Sequence, residues 1–156
     1  MTIFLIVIDI FFLLGGLYSV YWQSQIEIRS IYKISALIYT VLIGAFLLVG
    51  IDANILYIIM VAEFLASALV GGIGGLGTRK IIASGFFSGA INYSDIQRVT
   101  IISVNLNDKP KSSVIFQTSR LRQINLSFNR SYQEIRSFLD TKLNKDVEVE
   151  VIDNII

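Results

Sequence analysis

Three long apolar runs fill the first half of the chain and restrict what it can fold into. Residues 2–22 (TIFLIVIDIFFLLGGLYSVYW) carry one charge, Asp9. Residues 34–51 (ISALIYTVLIGAFLLVGI) carry none, and residues 55–77 (ILYIIMVAEFLASALVGGIGGLG) carry one, Glu63. About 20 predominantly apolar residues, rising 1.5 Å each, cross a hydrocarbon layer. A soluble helix keeps a polar stripe, and these runs have almost none. They are expected to form three transmembrane helices. The whole chain is 54% hydrophobic and 16% charged, yet its first 78 residues hold only six charges. The asymmetry divides a membrane region, 1–78, from a polar part, 79–145, and an acidic tail, 146–156. The first run lacks a basic start and an A-x-A cleavage site, so it reads as a span rather than a signal peptide.

Orientation follows from the basic residues of the short loops. Arg29 and Lys33 lie between the first two runs, and Arg79 and Lys80 follow the third. The link around Asp52–Asn54 has no basic residue. The expectation is a multi-pass protein of the cell membrane with its N-terminus outside and its C-terminal part in the cytoplasm. Tyr18, Tyr21 and Trp22 would then anchor the first span at the inner interface.

The chain has no cysteine and no histidine. Their absence removes disulfides, thiol chemistry, most zinc sites, Ser-His and Cys-His triads and histidine haem ligation. No enzyme activity, cofactor or metal is expected.

Within the third run, Gly72, Gly74 and Gly77 match G-x-G-x-x-G. A dinucleotide loop needs a strand before the glycines and a helix after them; here the order is reversed. Ser67, Gly71 and Gly75 are spaced by four, which on one helix gives a groove for another helix and a route to self-association. Glycines tolerated at a fraying helix end are the plainer alternative.

Asp9 and Glu63 both fall roughly 10–12 Å below the outer end of their spans. An ionised carboxylate at such depth costs at least ~2.5 kcal/mol. A shared cation or proton site is one reading. Neutral carboxyls hydrogen-bonding across helices, or Asp9 reaching outward because its span begins later, are the others.

After residue 78 the pattern turns to strands. KIIASGFF (80–87) and AINY (90–93) flank a Ser88–Gly89 turn, and RVTIISVNL (98–106) follows. A turn at 107–111 holds the only proline, Pro110. SSVIFQTS (112–119) and RLRQINLSF (120–128) form a second hairpin, with Ile124, Leu126 and Phe128 on one face. Ser131 to Glu134 has the capping-box spacing. Ile135, Phe138, Leu139 and Leu143 then recur at helical spacing over 132–143. The tail alternates and can add a strand or stay loose. The fold class is α+β: three transmembrane helices, then a small antiparallel sheet or partial barrel closed by a C-terminal helix.

The run TRKIIASGFFSGAINYSDIQRVTI resembles the opening of bacterial pleckstrin-homology-like domains that follow membrane helices. Gly85, Gly89, Ile91, Tyr93, Asp95, Ile96 and Val99 carry the resemblance. It covers about half the chain and implies a seven-stranded domain closed by a helix, against about five strands readable here. It implies no catalytic residues. The motif also has structural uses: turns at the glycines, Tyr93 and Ile96 plugging the sheet, Asp95 capping a turn.

From Arg79 to Lys145, eleven basic residues face four acidic ones, a balance of +7. A basic domain beside an anionic inner leaflet gains about 1 kcal/mol per Lys or Arg near the surface. Arg79, Lys80, Arg120 and Arg122 are the expected headgroup contacts. Nucleic acid is not an expected partner, because no binding motif or interleaved aromatics accompany the charge. The expected role is an interaction or scaffold module at the membrane face. The alternative is a small ion- or proton-coupled transporter using Asp9 and Glu63.

Overall fold

The computed structural model describes residues 2–49, 54–85, 89–106, 109–119 and 122–154. It is an α+β protein with four helices and two four-stranded sheets among the described residues. Helix α1 (Thr2–Ser24) is long and apolar enough to cross a membrane. Helices α2 (Ile34–Val49) and α3 (Ile55–Val70) are apolar and shorter. The α3 start is fixed locally: Asn54 accepts from the Leu56 amide at 3.0 Å, relieving one orphan donor of the first turn.

α1 and α3 pack side by side and run parallel. Phe12 meets Phe64 edge-on, 5.6 Å between ring centres. Four residues further along, Gly16 faces Ser67, where an added Cβ would stand 3.4 Å from the hydroxyl. α2 meets α3 where Gly44 lies against Leu65.

Between α1 and α2 the chain makes strand β1 (Ile26–Arg29). After α3 it makes β2 (Gly75–Gly77), then β3 (Lys80–Ile82) and β4 (Ala90–Asn92). These four strands form one antiparallel sheet in sequence order. The sheet therefore draws two strands from the first 78 residues. A 3-10 turn, Tyr93–Asp95, leads to β5 (Ile96–Leu106), β6 (Lys109–Thr118) and β7 (Gln123–Phe128). The second sheet has the order β7-β6-β5-β8, with β8 (Glu148–Asn154) parallel to β5. The expected hairpins are present, with different edges. Ile82 pairs with Ala90, so the first connection is longer than a Ser88–Gly89 turn, and Ser88 lies outside the described residues. Pro110 sits in β6 opposite Asn105, and the intervening Asn107 and Asp108 lie outside the described residues.

The third apolar run is not one helix. α3 ends at Val70, with Gly71 as its cap, and the following glycines continue into β2. Glycine's weak helix propensity permits the exit. Pairing of β2 with both β1 and β3 satisfies the backbone groups that the helix releases.

Helix α4 (Tyr132–Asp140) is capped by Ser131, whose hydroxyl accepts from the Glu134 amide. Glu134 itself turns to Arg130 at 3.0 Å instead of closing the second half of a capping box. Ile135 and Leu139 of α4 are fully buried, with Phe138 and Leu143 packed against the same core. That core joins both sheets: Leu76 and Ile81 from the first, Val99, Ile101, Val114, Phe116, Leu126 and Phe128 from the second. The alternation expected in β7 is observed, with Ile124, Leu126 and Phe128 inward. Tyr93 and Ile96 are also in the core, as expected. The tail strand β8 adds Val149 and Val151 to the core's margin. Arg98 fastens it through an ion pair to Glu148 at 2.6 Å, which raises the Arg98 pKa, chiefly by that hydrogen bond.

Candidate functional site

The glycine run has its chemical explanation in β2. An added Cβ on Gly75 would strike the carbonyl oxygen of Ile28, which is backbone and cannot swing aside. All three β2 residues are buried between β1 and β3. These glycines permit close backbone approach within a sheet and face no phosphate-binding helix start.

The expected helix groove of Ser67, Gly71 and Gly75 needs correction, because Gly75 is in β2 and not on α3. Ser67 faces Gly16 of α1 in the same chain. Gly71 caps α3, and its carbonyl accepts from the Gly85 amide at 2.8 Å. Gly85 has φ of 139°, a conformation that glycine alone adopts readily, so the β3–β4 connection can turn back onto the end of α3.

This contact closes one side of a cavity of about 260 Å³. Its α1 wall runs from Phe11 to Gln23, and Ser67 and Gly71 contribute from α3. Ile82, Ala83, Gly85, Gly89 and Ala90 contribute from β3, β4 and their connection. Twelve residue steps of helix make the wall about 18 Å long. Phe11, Phe12 and Gly15 line one end; Ser19, Trp22 and Gln23 line the other. The Gln23 amide donates to the Val70 carbonyl, tying α1 to the end of α3. The Trp22 indole Nε1–H is buried and has no acceptor among the described residues. Lys80 Nζ stands 4.4 Å from the centre of the Trp22 ring. A buried indole donor without an acceptor costs about 1–3 kcal/mol.

Asp9 and Glu63 lie on the two packed helices. The pairing of Phe12 with Phe64 and Gly16 with Ser67 puts Glu63 level with residues 11–12 of α1. The backbone positions of Asp9 and Glu63 are thus offset by about 3–5 Å along the helix direction. Each has one buried oxygen, Asp9 Oδ1 and Glu63 Oε2, without a hydrogen-bond partner among the described residues. Among the described residues no group of three or more acidic side chains forms a metal-binding cluster.

Three of the four expected headgroup contacts, Arg79, Lys80 and Arg122, fall within the described residues. Arg79 is exposed in the β2–β3 turn beside the end of α1, where the Thr78 amide donates to the Gln25 carbonyl. Lys80 begins β3 and sits on Trp22. Arg122 is exposed in the β6–β7 connection, and Arg120 lies outside the described residues. Asp95 accepts from the Asn92 side chain at 3.4 Å, and its carbonyl accepts from the Ser119 amide. Sequence reasoning placed Trp22 as an interface anchor only and did not single out Gly15 or Gln23. The signal it had was the lone tryptophan followed by a polar residue at the end of an apolar run.

Comparison with protein-family models, curated proteins and solved structures finds no match to the chain.

Proposed function

We propose that the chain is a non-enzymatic integral membrane protein. In this reading α1, α2 and α3 cross the bilayer, and the two sheets with α4 form a pleckstrin-homology-like interaction or scaffold module at the cytoplasmic face. One observation carries the reading. Among the described residues, every exposed large apolar side chain except Ile31 and Ile152 lies on α1, α2 or α3. In water such a surface drives association; in lipid it is solvated. The core of the sheets is built the opposite way, with its large apolar side chains inside.

The connectivity supports the same reading. The end of α1, the start of α2 and the end of α3 all lead directly into or beside the β1–β2 pair. The sheets therefore sit at one end of all three helices. At 16 residues each, α2 and α3 are about 24 Å long, and interfacial flanks would supply the remaining depth. Among the described residues five strands of the 79–145 segment, β3 to β7, precede α4, and β1 and β2 from the first 78 residues extend the first sheet. The basic balance of residues 79–145 suits an anionic inner leaflet.

The cysteine-free chain makes the test direct. Single cysteines at Thr2, Lys33 and Ser119 are challenged with a membrane-impermeant maleimide on intact cells. Thr2→Cys is expected to react from outside; Lys33→Cys and Ser119→Cys are expected to react only after lysis. Reaction of Ser119→Cys on intact cells, or recovery of the chain in the soluble fraction without detergent, overturns the reading.

The unpartnered oxygens of Asp9 and Glu63 favour a second reading, an ion- or proton-coupled transporter. It requires uptake by reconstituted vesicles that is lost in Asp9→Asn or Glu63→Gln. Absence of uptake, or uptake unchanged in both variants, removes it.

A further inference from the structure

We infer that the free edge of β8 is a docking site for an extended basic segment of another protein, which joins the second sheet as a further strand antiparallel to β8. The inference rests on the interaction-module reading above and deepens it by naming the surface and the chemistry of its partner. β8 is an outer strand: it pairs with β5 along Glu148–Asn154, and among the described residues no strand pairs with its other side. Such an edge presents unpaired N–H and C=O groups, which proteins guard with short strands, lysine, proline, bulges or a covering segment. The other edges here are guarded. β1 and β4 are four and three residues long. β7 is partly covered by the chain itself, where the Ile31 amide donates to the Ser127 carbonyl at 2.6 Å. β8 runs for seven residues, EVEVIDN, with neither lysine nor proline, and its register with β5 has no bulge.

The chemistry of the added strand follows from β8. Val149 and Val151 turn to the core margin, while Glu148, Glu150 and Ile152 are exposed on the other face. In antiparallel pairing, side chains directly opposite share a face and lie about 4.5–5.5 Å apart. Ile152 is 41% exposed and stands beside Ile102 of β5, so it favours an apolar residue opposite. Val149 and Val151 favour apolar residues that extend the core margin. Glu148 already holds Arg98 at 2.6 Å, whereas Glu150 has no ion pair among the described residues. Glu150 therefore favours Lys or Arg opposite. Main-chain bonds supply affinity in strand addition, and alternate side chains supply specificity. From its N-terminus the partner is apolar, apolar, basic, apolar and polar, set against Ile152, Val151, Glu150, Val149 and Glu148. A second copy of β8 fits less well: with Ile152 opposite its copy, position 150 stands opposite Asn154, which offers no positive charge.

The probe is a fluorescein-labelled peptide, Ser-Ile-Val-Lys-Val-Thr-Ser, titrated with the full-length protein in detergent and read by anisotropy. Binding is expected, and binding about fivefold weaker when Glu replaces Lys, the upper end of a cross-strand charge pair. Glu150→Lys is expected to reverse that preference, and Ile152→Ser to weaken the binding of both peptides. The Lys peptide N-methylated at every residue keeps its side chains, loses its donors and is not expected to bind. A melting transition like that of the unaltered chain shows that each variant is folded. Absence of binding, equal binding of the Lys and Glu peptides, a preference unchanged in Glu150→Lys, or full binding of the N-methylated peptide each overturns the site. So does a dimer in detergent that Ile152→Lys converts to monomer, which assigns the edge to a second copy. None of these outcomes touches the membrane reading, which the maleimide labelling decides separately.

Discussion

Tyr93 donates its phenolic hydrogen to the carbonyl of Gly77 at 2.7 Å, tying the 3-10 turn before β5 to the last residue of the glycine strand. The ring is buried in the core that both sheets share. This one bond reaches from the resemblance-bearing segment back to the glycine run. Removing the hydroxyl in Tyr93→Phe keeps the ring and loses the bond. A loss of about 1 kcal/mol is expected, read as a lower denaturation midpoint in detergent.

The same hydroxyl gives a pH dependence. Burial, and secondly the Glu27 carboxylate, push the Tyr93 pKa well above the ordinary tyrosine value of 10.0. The folded state then holds this proton more tightly than the unfolded state. The stabilisation is full below pH 10 and declines as pH rises above it, by at most about 1.4 kcal/mol per unit. Stability measured above pH 10 is expected to fall less steeply in Tyr93→Phe than in the unaltered chain. Identical slopes would refute the assignment.

Two glycines of apolar runs should behave oppositely. Gly75→Ala drives a Cβ into the Ile28 carbonyl, and overpacking against backbone is expected to cost about 3 kcal/mol or more. Gly15→Ala meets open space on a helix and should gain up to about 1 kcal/mol. Comparative yield and melting in detergent separate the two.

Apolar side chains in the two parts should also answer differently to truncation. Phe116 is fully buried between the sheets, and Phe116→Ala is expected to cost about 3–5 kcal/mol. Phe46 on α2 is 78% exposed, and Phe46→Ala should leave unfolding in detergent nearly unchanged. A large destabilisation at Phe46 would mean that helix face is covered by protein.

The β8 strand is expected to be structural. Deleting residues 146–156 uncovers the β5 edge and removes Val149 and Val151 from the core margin, so the melting temperature should drop and aggregation rise. Arg98→Gln, which removes only an exposed ion pair, should produce a much smaller shift. Equal effects would assign the strand's anchorage to the ion pair rather than to pairing and burial.

Elements that declare themselves within a few residues were legible. The strict alternation of Ile124, Leu126 and Phe128 located β7, and the Ser131 cap with Ile135 and Leu139 located α4. The apolar runs located α1 and α2 to within two residues of their described ends. The candidate site was only partly legible. Asp9 and Glu63 stood out as charges in apolar surroundings. The cavity did not, because its walls come from α1, α3 and the β3–β4 connection. The buried Trp22 donor, unpartnered among the described residues, and the Lys80 ammonium over its ring come together only in the folded chain.

By itself the sequence determined which segments avoid water, where strand alternation gives way to helical spacing, and which chemistries are absent with histidine and cysteine. Those properties are local, since each is written in neighbouring residues. Only the tertiary structure decided that Gly75–Gly77 is a strand and that Ile26–Arg29 is its partner. Glycine has poor strand propensity, and four residues are too few to show a period. Their pairing is stabilised because the ends of α1 and α3 meet, bringing together two backbones nearly fifty residues apart where Gly75 has no Cβ to strike the Ile28 carbonyl.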